Sequence, residues 1–157
     1  MKGPTVKFKS ILIAAIAFVM ISACEDRSNV PAFANPDAPE YRALKFFDAL
    51  YNEKNLGKAQ KYTTPKLSRI IRSYGTTRGY ARYVLNLQVD PGVELNIDRS
   101  LNQVSMRKAD KTYVNILFTG DHNDEPVRDV RKVVFTKVDG EWLISDIEDD
   151  PYLKSGI

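Results

Sequence analysis

Residues 127–147, VRDVRKVVFTKVDGEWLISDI, decide the fold class because their apolar and polar side chains alternate along most of the stretch. Alternation with a period of two is typical of a half-buried strand. Asp139-Gly140 interrupts the run with a dipeptide that favours a tight hairpin turn. The stretch therefore predicts two antiparallel strands, Val127 to Val138 and Glu141 to Ile147.

Two further alternating runs precede this hairpin. The first follows the turn Asp90-Pro91-Gly92 and extends from Val93 to Met106, and the second contains Val114, Ile116 and Phe118. Between the second run and the hairpin, Gly120 to Pro126 is expected to form a loop. The C-terminal half therefore predicts four strands in an antiparallel meander.

The N-terminal half has helical spacing instead. Helices are predicted over Glu40 to Asn52, over Leu56 to Tyr62, and from Pro65 to near Gly75 with Thr64 as N-cap. Arg78 to Leu87 suits either a helix or a strand. Helices followed by a meander predict an α+β fold, in which the helices pack on one side of a curved four-stranded antiparallel sheet.

The first residues of the chain have the pattern of an export signal. Three lysines and no acid precede the apolar run Ile11–Ile21, and the small residues Ser22 and Ala23 follow it. As a helix the run would span about 17 Å, well short of the roughly 30 Å of a hydrocarbon core. We therefore expect a leader peptide and not a membrane-spanning helix.

Ile21-Ser22-Ala23-Cys24 resembles the lipobox of bacterial lipoproteins, and Cys24 is the only cysteine in the chain. The resemblance implies cleavage before Cys24 and lipidation of its thiol; the alternative is an ordinary secretory signal followed by a chance cysteine. The expected organisation is a signal peptide (1–23), a flexible tether beginning at the lipidated Cys24 (24–36), one domain (37–148) and an acidic tail (149–157). The expected location is the bacterial envelope, at the inner or the outer membrane.

Composition excludes several classes of function. The formal net charge of +3 belongs to the precursor, and removal of residues 1–23 leaves 20 basic and 20 acidic residues. A neutral, exported domain is not expected to bind nucleic acid. One Cys and one His argue against zinc centres, no nucleotide-binding glycine motif is present, and we expect no metal or cofactor.

Short motifs along the domain resemble small bacterial lipoproteins of the nuclear transport factor two-like superfamily. The motifs are Phe46-Phe47-x-Ala49-Leu50-Tyr51, Ala59-x-x-Tyr62-x-Thr64-Pro65, Val114-x-Ile116-x-Phe118-x-Gly120, Arg131-x-Val133-x-Phe135 and Gly140-x-Trp142-x-Ile144. The resemblance implies a cone-shaped α+β fold with a cavity between helices and sheet. Relatives include binding domains, dimerising scaffolds, and enzymes such as ketosteroid isomerase and polyketide cyclases.

A cavity of this kind would be lined by aromatic residues, and the candidate ligand-binding residues are Trp142, Tyr41, Tyr51 and Phe47. Asp146 shares the alternation of Trp142 and Ile144, so a buried Asp146 could act as a general base with Tyr113 as a hydroxyl donor. Tyr41 and Tyr51 are alternative donors. The other interpretation places Asp146 at a hydrated sheet rim, continuous with the acidic tail.

Charge is unevenly distributed within the neutral domain. Residues 40–89 hold ten Lys or Arg against three acids, and Arg69, Arg72, Arg78 and Arg82 form a candidate basic surface patch. Such a patch could meet lipid head groups or an acidic partner, or be an ordinary solvated helix surface. Asp121 to Glu125 concentrates oxygen ligands, but its spacing does not match a calcium loop.

The sequence thus predicts an envelope lipoprotein that associates with a membrane through its anchor. Its domain is expected to bind without catalysis, taking a small hydrophobic or lipid-like ligand, an envelope protein or a second copy of itself. The alternative is an isomerase- or cyclase-like enzyme that uses Asp146 as its base.

Overall fold

The computed structural model describes residues 31–99 and 109–149. Several predicted features lie outside the described residues: the leader, Cys24, the continuation of the first strand through Val104 and Met106, and most of the acidic tail. Within them, helices come first and strands follow. No helix of the described ranges is both long and apolar enough to cross a bilayer.

The helical half begins with a 3-10 turn at Ala32–Ala34. The α-helices are α1 (Pro39–Phe47), α2 (Leu56–Gln60), α3 (Pro65–Ser73) and α4 (Thr77–Tyr83), and a π-helical turn, Asp48–Asn52, continues α1. Helices α2, α3 and α4 begin at side-chain caps, where Asn55, Thr64 and Thr76 accept hydrogen bonds from backbone N–H groups. The predicted Thr64 cap is confirmed, and the ambiguous segment 78–87 is helical as far as Tyr83.

The strands are β1 (Glu94–Ile97), β2 (Lys111–His122), β3 (Glu125–Val138) and β4 (Glu141–Glu148). They form one antiparallel sheet in the order β1-β2-β3-β4. The helices pack on one face of this sheet, its inner face, as the buried residues of both halves form one hydrophobic core. The predicted α+β class and four-stranded antiparallel meander are confirmed.

The predicted loop at 120–126 is wrong, because β2 and β3 continue to a turn of two residues. His122 pairs with Glu125, so only Asn123 and Asp124 connect the strands. Both have positive φ, 53° and 65°, which is the backbone of the type I′ hairpin turn. The predicted turn at Asp139-Gly140 is confirmed, with φ of 50° and 88°.

A β-bulge at Ser145 makes the predicted face of Asp146 wrong. Phe135 pairs with Ile144 and Val134 with Asp146, so Ser145 is an extra residue without a partner on β3. The side chains beyond it therefore change faces. Ile144 lies on the inner face and Asp146 on the outer face, where it is exposed.

Aromatic rings fill the interior between helices and sheet. Phe46 and Phe47 from α1 and Phe118 and Phe135 from the sheet have no exposed surface. Phe47 packs edge-on against Phe46 and Phe118, with ring centroids 5.0 and 4.8 Å apart. Such rings bury large apolar areas and favour this geometry. The interior of the described domain is therefore a packed core.

Candidate binding pocket

A pocket of about 250 Å³ opens at one end of the fold, beside the filled interior. Four segments form it: the π-helical turn with the residues after it, α4, the loop 88–91, and the end of β2. It is lined by Leu50, Tyr51, Lys54, Thr77, Arg78, Ala81, Gln88, Val89, Asp90, Pro91 and His122. Its volume suits a small molecule of a few heavy atoms more than a lipid chain.

Cationic side chains line this pocket from two elements. Lys54 follows the π-helical turn with a positive φ of 52°, and Arg78 lies in the first turn of α4. Within the described ranges neither side chain has an ion pair with an acid. Both charges are therefore available to a ligand, and a planar guanidinium suits carboxylate or phosphate oxygens in particular.

His122 and Asp90 form the polar wall. The Nε2 atom of His122 lies within hydrogen-bond distance of Asn123 Nδ2, at 3.1 Å. Nδ1 is buried, makes no hydrogen bond among the described residues, and lies 3.5 Å from Asp90 Oδ1. The pocket thus combines two cations with an imidazole ring and one carboxylate.

Hydrogen bonds from two directions position the loop that carries Asp90. Asp90 donates its backbone N–H to Asp121 O, and its Oδ2 accepts from the backbone N–H of Asn123. Asn52 accepts from Gly92 N at 2.8 Å and donates to Val93 O at 3.3 Å. The loop is thereby tied to the end of the sheet and to the π-helical turn, which gives this wall of the pocket a defined position.

Two buried tyrosines lie in and behind the pocket wall. Tyr51 donates its hydroxyl to Leu87 O at 2.9 Å, whereas the buried hydroxyl of Tyr80 has no hydrogen-bond partner within residues 31–99 and 109–149. Burial raises the pKa of both hydroxyls above their ordinary value, and the charge of Arg131 offsets part of the rise at Tyr51. Both tyrosines are therefore neutral structural groups at physiological pH.

Sequence analysis missed a buried arginine on the inner face. Arg131 is only 5% exposed, and it donates to Asp129 and to Asp149, each at 3.0 Å. The alternation along β3 could have predicted this position, since Arg131 falls on the same face of the strand as Val133 and Phe135. Two carboxylates neutralise its charge, so Arg131 ties the end of β4 to β3 and is not a free cation.

The four predicted ligand-binding aromatics do not meet in one cavity. Phe47 lies in the core, and only Tyr51 lines the pocket. Tyr41 lines a separate, shallower groove with Phe33 and other residues of α1 and β1. Trp142 is half-buried at the start of β4, with the Lys137 ammonium 5.5 Å from its ring centroid.

The predicted catalytic pair lies on the outer face of the sheet. Tyr113 and Asp146 both pair with Val134, from opposite sides. Asp146 is exposed, and Lys132 Nζ lies 5.0 Å from the centroid of the Tyr113 ring. The buried setting that the general-base hypothesis requires is absent at Asp146.

The four predicted arginines are all exposed, on two consecutive helices. Arg69 and Arg72 lie on α3, and Arg78 and Arg82 lie on α4. Arg78 alone lines the pocket. In the described part of the chain, no group of three or more His, Cys, Asp or Glu side chains could hold a metal ion.

The two buried tyrosines provide a matched pair for a stability test. We expect Tyr51→Phe to lower the free energy of unfolding by about 1 kcal/mol, because it removes the hydrogen bond to Leu87 O. We expect Tyr80→Phe to leave the stability unchanged or to raise it by about 1 kcal/mol, because the hydroxyl it removes is buried without a partner. Urea unfolding at neutral pH measures both, and an equal loss in the two variants would contradict this assignment.

No protein-family model matches the chain, and a search of curated proteins gave no significant match.

Proposed function

We propose that this protein is a bacterial envelope lipoprotein, anchored through Cys24, whose domain binds a small anionic molecule and catalyses no reaction. The cone-shaped nuclear transport factor two-like fold is part of this proposal, supported by helices that precede and cover one antiparallel sheet. The ligand class is a carboxylate or phosphate compound that enters the pocket between Arg78 and Lys54.

One observation carries the proposal: Lys54 and Arg78, neither of which has an ion pair among the described residues, line the same pocket as the His122 ring. A charge-assisted hydrogen bond from a guanidinium or ammonium to an anion is about twice as strong as a neutral one. Asp90 lines the same wall, so the site favours a ligand that also presents a hydrogen-bond donor. A ligand with an acid group and a hydroxyl or amine satisfies both requirements.

Two further observations favour binding over catalysis. An isomerase- or cyclase-like site needs a cavity in the interior with a buried acid, but Phe46, Phe47, Phe118 and Phe135 fill that space. The acid that the sequence offered, Asp146, lies on the opposite face of the sheet. The described residues therefore favour ligand binding in the pocket over general-base catalysis in the interior.

The pocket can be tested with inorganic phosphate as the probe. We expect Arg78→Gln to weaken phosphate binding at least about tenfold, since it removes one charge-assisted hydrogen bond worth roughly 1.5–3 kcal/mol. Isothermal titration calorimetry on the mature chain, residues 24–157 with Cys24→Ser, measures the change. Arg82→Gln is the matched control, because Arg82 lies on the same helix but outside the pocket.

Absence of phosphate binding, or an equal loss in the Arg78 and Arg82 variants, would refute the pocket as an anion site. The first result would show that the pocket holds no anion. The second result would show that phosphate binding depends only on the net charge of the helices and not on the pocket.

The anchor is tested separately from the pocket. We expect Cys24→Ser to move the protein from the membrane pellet to the soluble fraction of lysed cells, because two or more acyl chains hold a protein durably at a bilayer and the variant cannot receive them. Fractionation followed by immunoblotting measures this. Ala23→Ser, which leaves the thiol and a small residue before it, is the control. Unchanged retention of Cys24→Ser on membranes washed at high salt, which removes electrostatic attachment, would contradict lipidation at this residue.

A further inference from the structure

Helices α3 and α4 expose large apolar side chains that the core does not cover. Five such residues are exposed among the described residues, and Ile70, Tyr74, Tyr83 and Val84 all belong to this helix pair or its ends. Tyr83 is the most exposed, at 70%. Single exposed apolar residues are ordinary, but these four lie on two consecutive helices that the rings of Tyr74 and Tyr80 join, with centroids 6.2 Å apart, so exposed apolar side chains are concentrated in one part of the fold.

The same surface is strongly cationic. Residues 65–83, which include both helices, contain five Lys or Arg and no Asp or Glu. Arg69 and Arg72 have no ion pair with any acid of the described ranges, and the Arg82 guanidinium lies 5.5 Å from the centroid of the Tyr83 ring. We call Arg69, Ile70, Arg72, Tyr74, Arg82 and Tyr83 the basic–aromatic surface.

A lipid surface fits this chemistry better than an acidic protein does. Helices that lie at a membrane–water interface typically combine arginines with aromatic and aliphatic side chains, as this surface does. There the guanidinium groups contact lipid phosphates and the aromatic rings enter the head-group layer. Each Lys or Arg near an anionic surface contributes about 1 kcal/mol. A protein interface of comparable strength needs a contiguous apolar centre, and here charges separate the apolar side chains.

The length of chain before the described domain supports a bilayer as the partner. Cys24 and Pro31 are separated by seven peptide links, which span at most about 25 Å. A lipid on Cys24 would therefore keep the domain within about one domain diameter of the head groups. At that distance, rotation about the link is enough to bring a charged surface within the roughly 10 Å range of electrostatic attraction.

We propose that the basic–aromatic surface of α3 and α4 docks on an anionic phospholipid bilayer. This docking proposal extends the membrane-anchored part of the proposed function. Its evidence is the set of exposed residues on α3 and α4, and it depends neither on the lipid at Cys24 nor on the pocket. Docking gives the domain one orientation on the membrane, with Tyr74 and Tyr83 in the head-group layer and the arginines on lipid phosphates.

Vesicle binding without the lipid anchor tests this proposal. The core is drawn from residues 43–147, so the mature chain with Cys24→Ser contains everything that the fold needs. We expect it to sediment with phosphatidylglycerol vesicles at low ionic strength and not with phosphatidylcholine vesicles. The double variant Arg72→Gln/Arg82→Gln should weaken the binding about thirtyfold, from about 1 kcal/mol for each charge.

Two matched controls separate the surface from general charge and hydrophobicity. Lys111→Gln/Arg128→Gln removes the same charge from exposed positions on the sheet and should change binding little. Tyr83→Ser should weaken binding although it leaves the charge intact, whereas Phe33→Ser, which removes an exposed ring from the N-terminal turn, should not.

The proposal is overturned if the chain binds both lipids equally, or if the sheet control loses as much binding as the helix variant. It is also overturned if no vesicle binding occurs. Failure of Cys24→Ser to leave membranes washed at high salt, where electrostatic docking is screened, would instead refute the anchor, and the vesicle result would stand independently of it.

Discussion

The packing of Phe47 against Phe118 is the contact on which the rest of the structure depends. It joins α1 to β2, with the two rings edge to face at 4.8 Å. Tyr51, one helical turn further on, packs against Phe118 as well, at 5.7 Å. These rings fix the helical half on the inner face of the sheet, and in doing so they fill the space where a fold of this kind could otherwise hold a ligand.

Because the interior is filled, the candidate binding pocket lies at the end of the fold. The π-helical turn forms part of the wall of this pocket. The turn places Asn52 where its side chain holds Gly92 and Val93, and Lys54 follows it in the left-handed region. Left-handed backbone is uncommon for a lysine, and such positions cluster at functional sites. The same element that packs the core on one side therefore shapes the pocket on the other.

Local chemistry made part of the fold predictable from sequence. Thr64-Pro65 predicts a helix N-terminus and Asp139-Gly140 predicts a hairpin turn, because a cap and a tight turn depend on only a few adjacent residues. The bulge at Ser145 had no such signal, since one extra residue in a strand changes pairing and faces without changing composition. The hairpin at Asn123-Asp124 was missed because it lacks the glycine that usually marks a type I′ turn.

The pocket was harder to predict from sequence because its lining residues come from segments that are far apart along the chain. Arg78 was singled out from sequence as part of a basic patch, but its place beside Lys54 and His122 depends on how the turn, α4 and the end of β2 meet. Asp146 and the aromatic candidates were chosen by strand parity and by resemblance, and a single bulge reversed the parity. The basic patch on α3 and α4, by contrast, was predicted from sequence, because residues 40–89 hold ten Lys or Arg against three acids.

The central claim is that the interior is full, and a small apolar probe tests it most directly. Thermal unfolding of the mature chain should be measured with and without benzene, beside Phe47→Ala, which should open an apolar cavity in the core. We expect benzene to raise the unfolding midpoint of Phe47→Ala and to leave that of the unmodified chain unchanged, because a ligand stabilises only a state that binds it. A rise in the unmodified chain as large as in the variant would show that the interior already holds a cavity and is not filled.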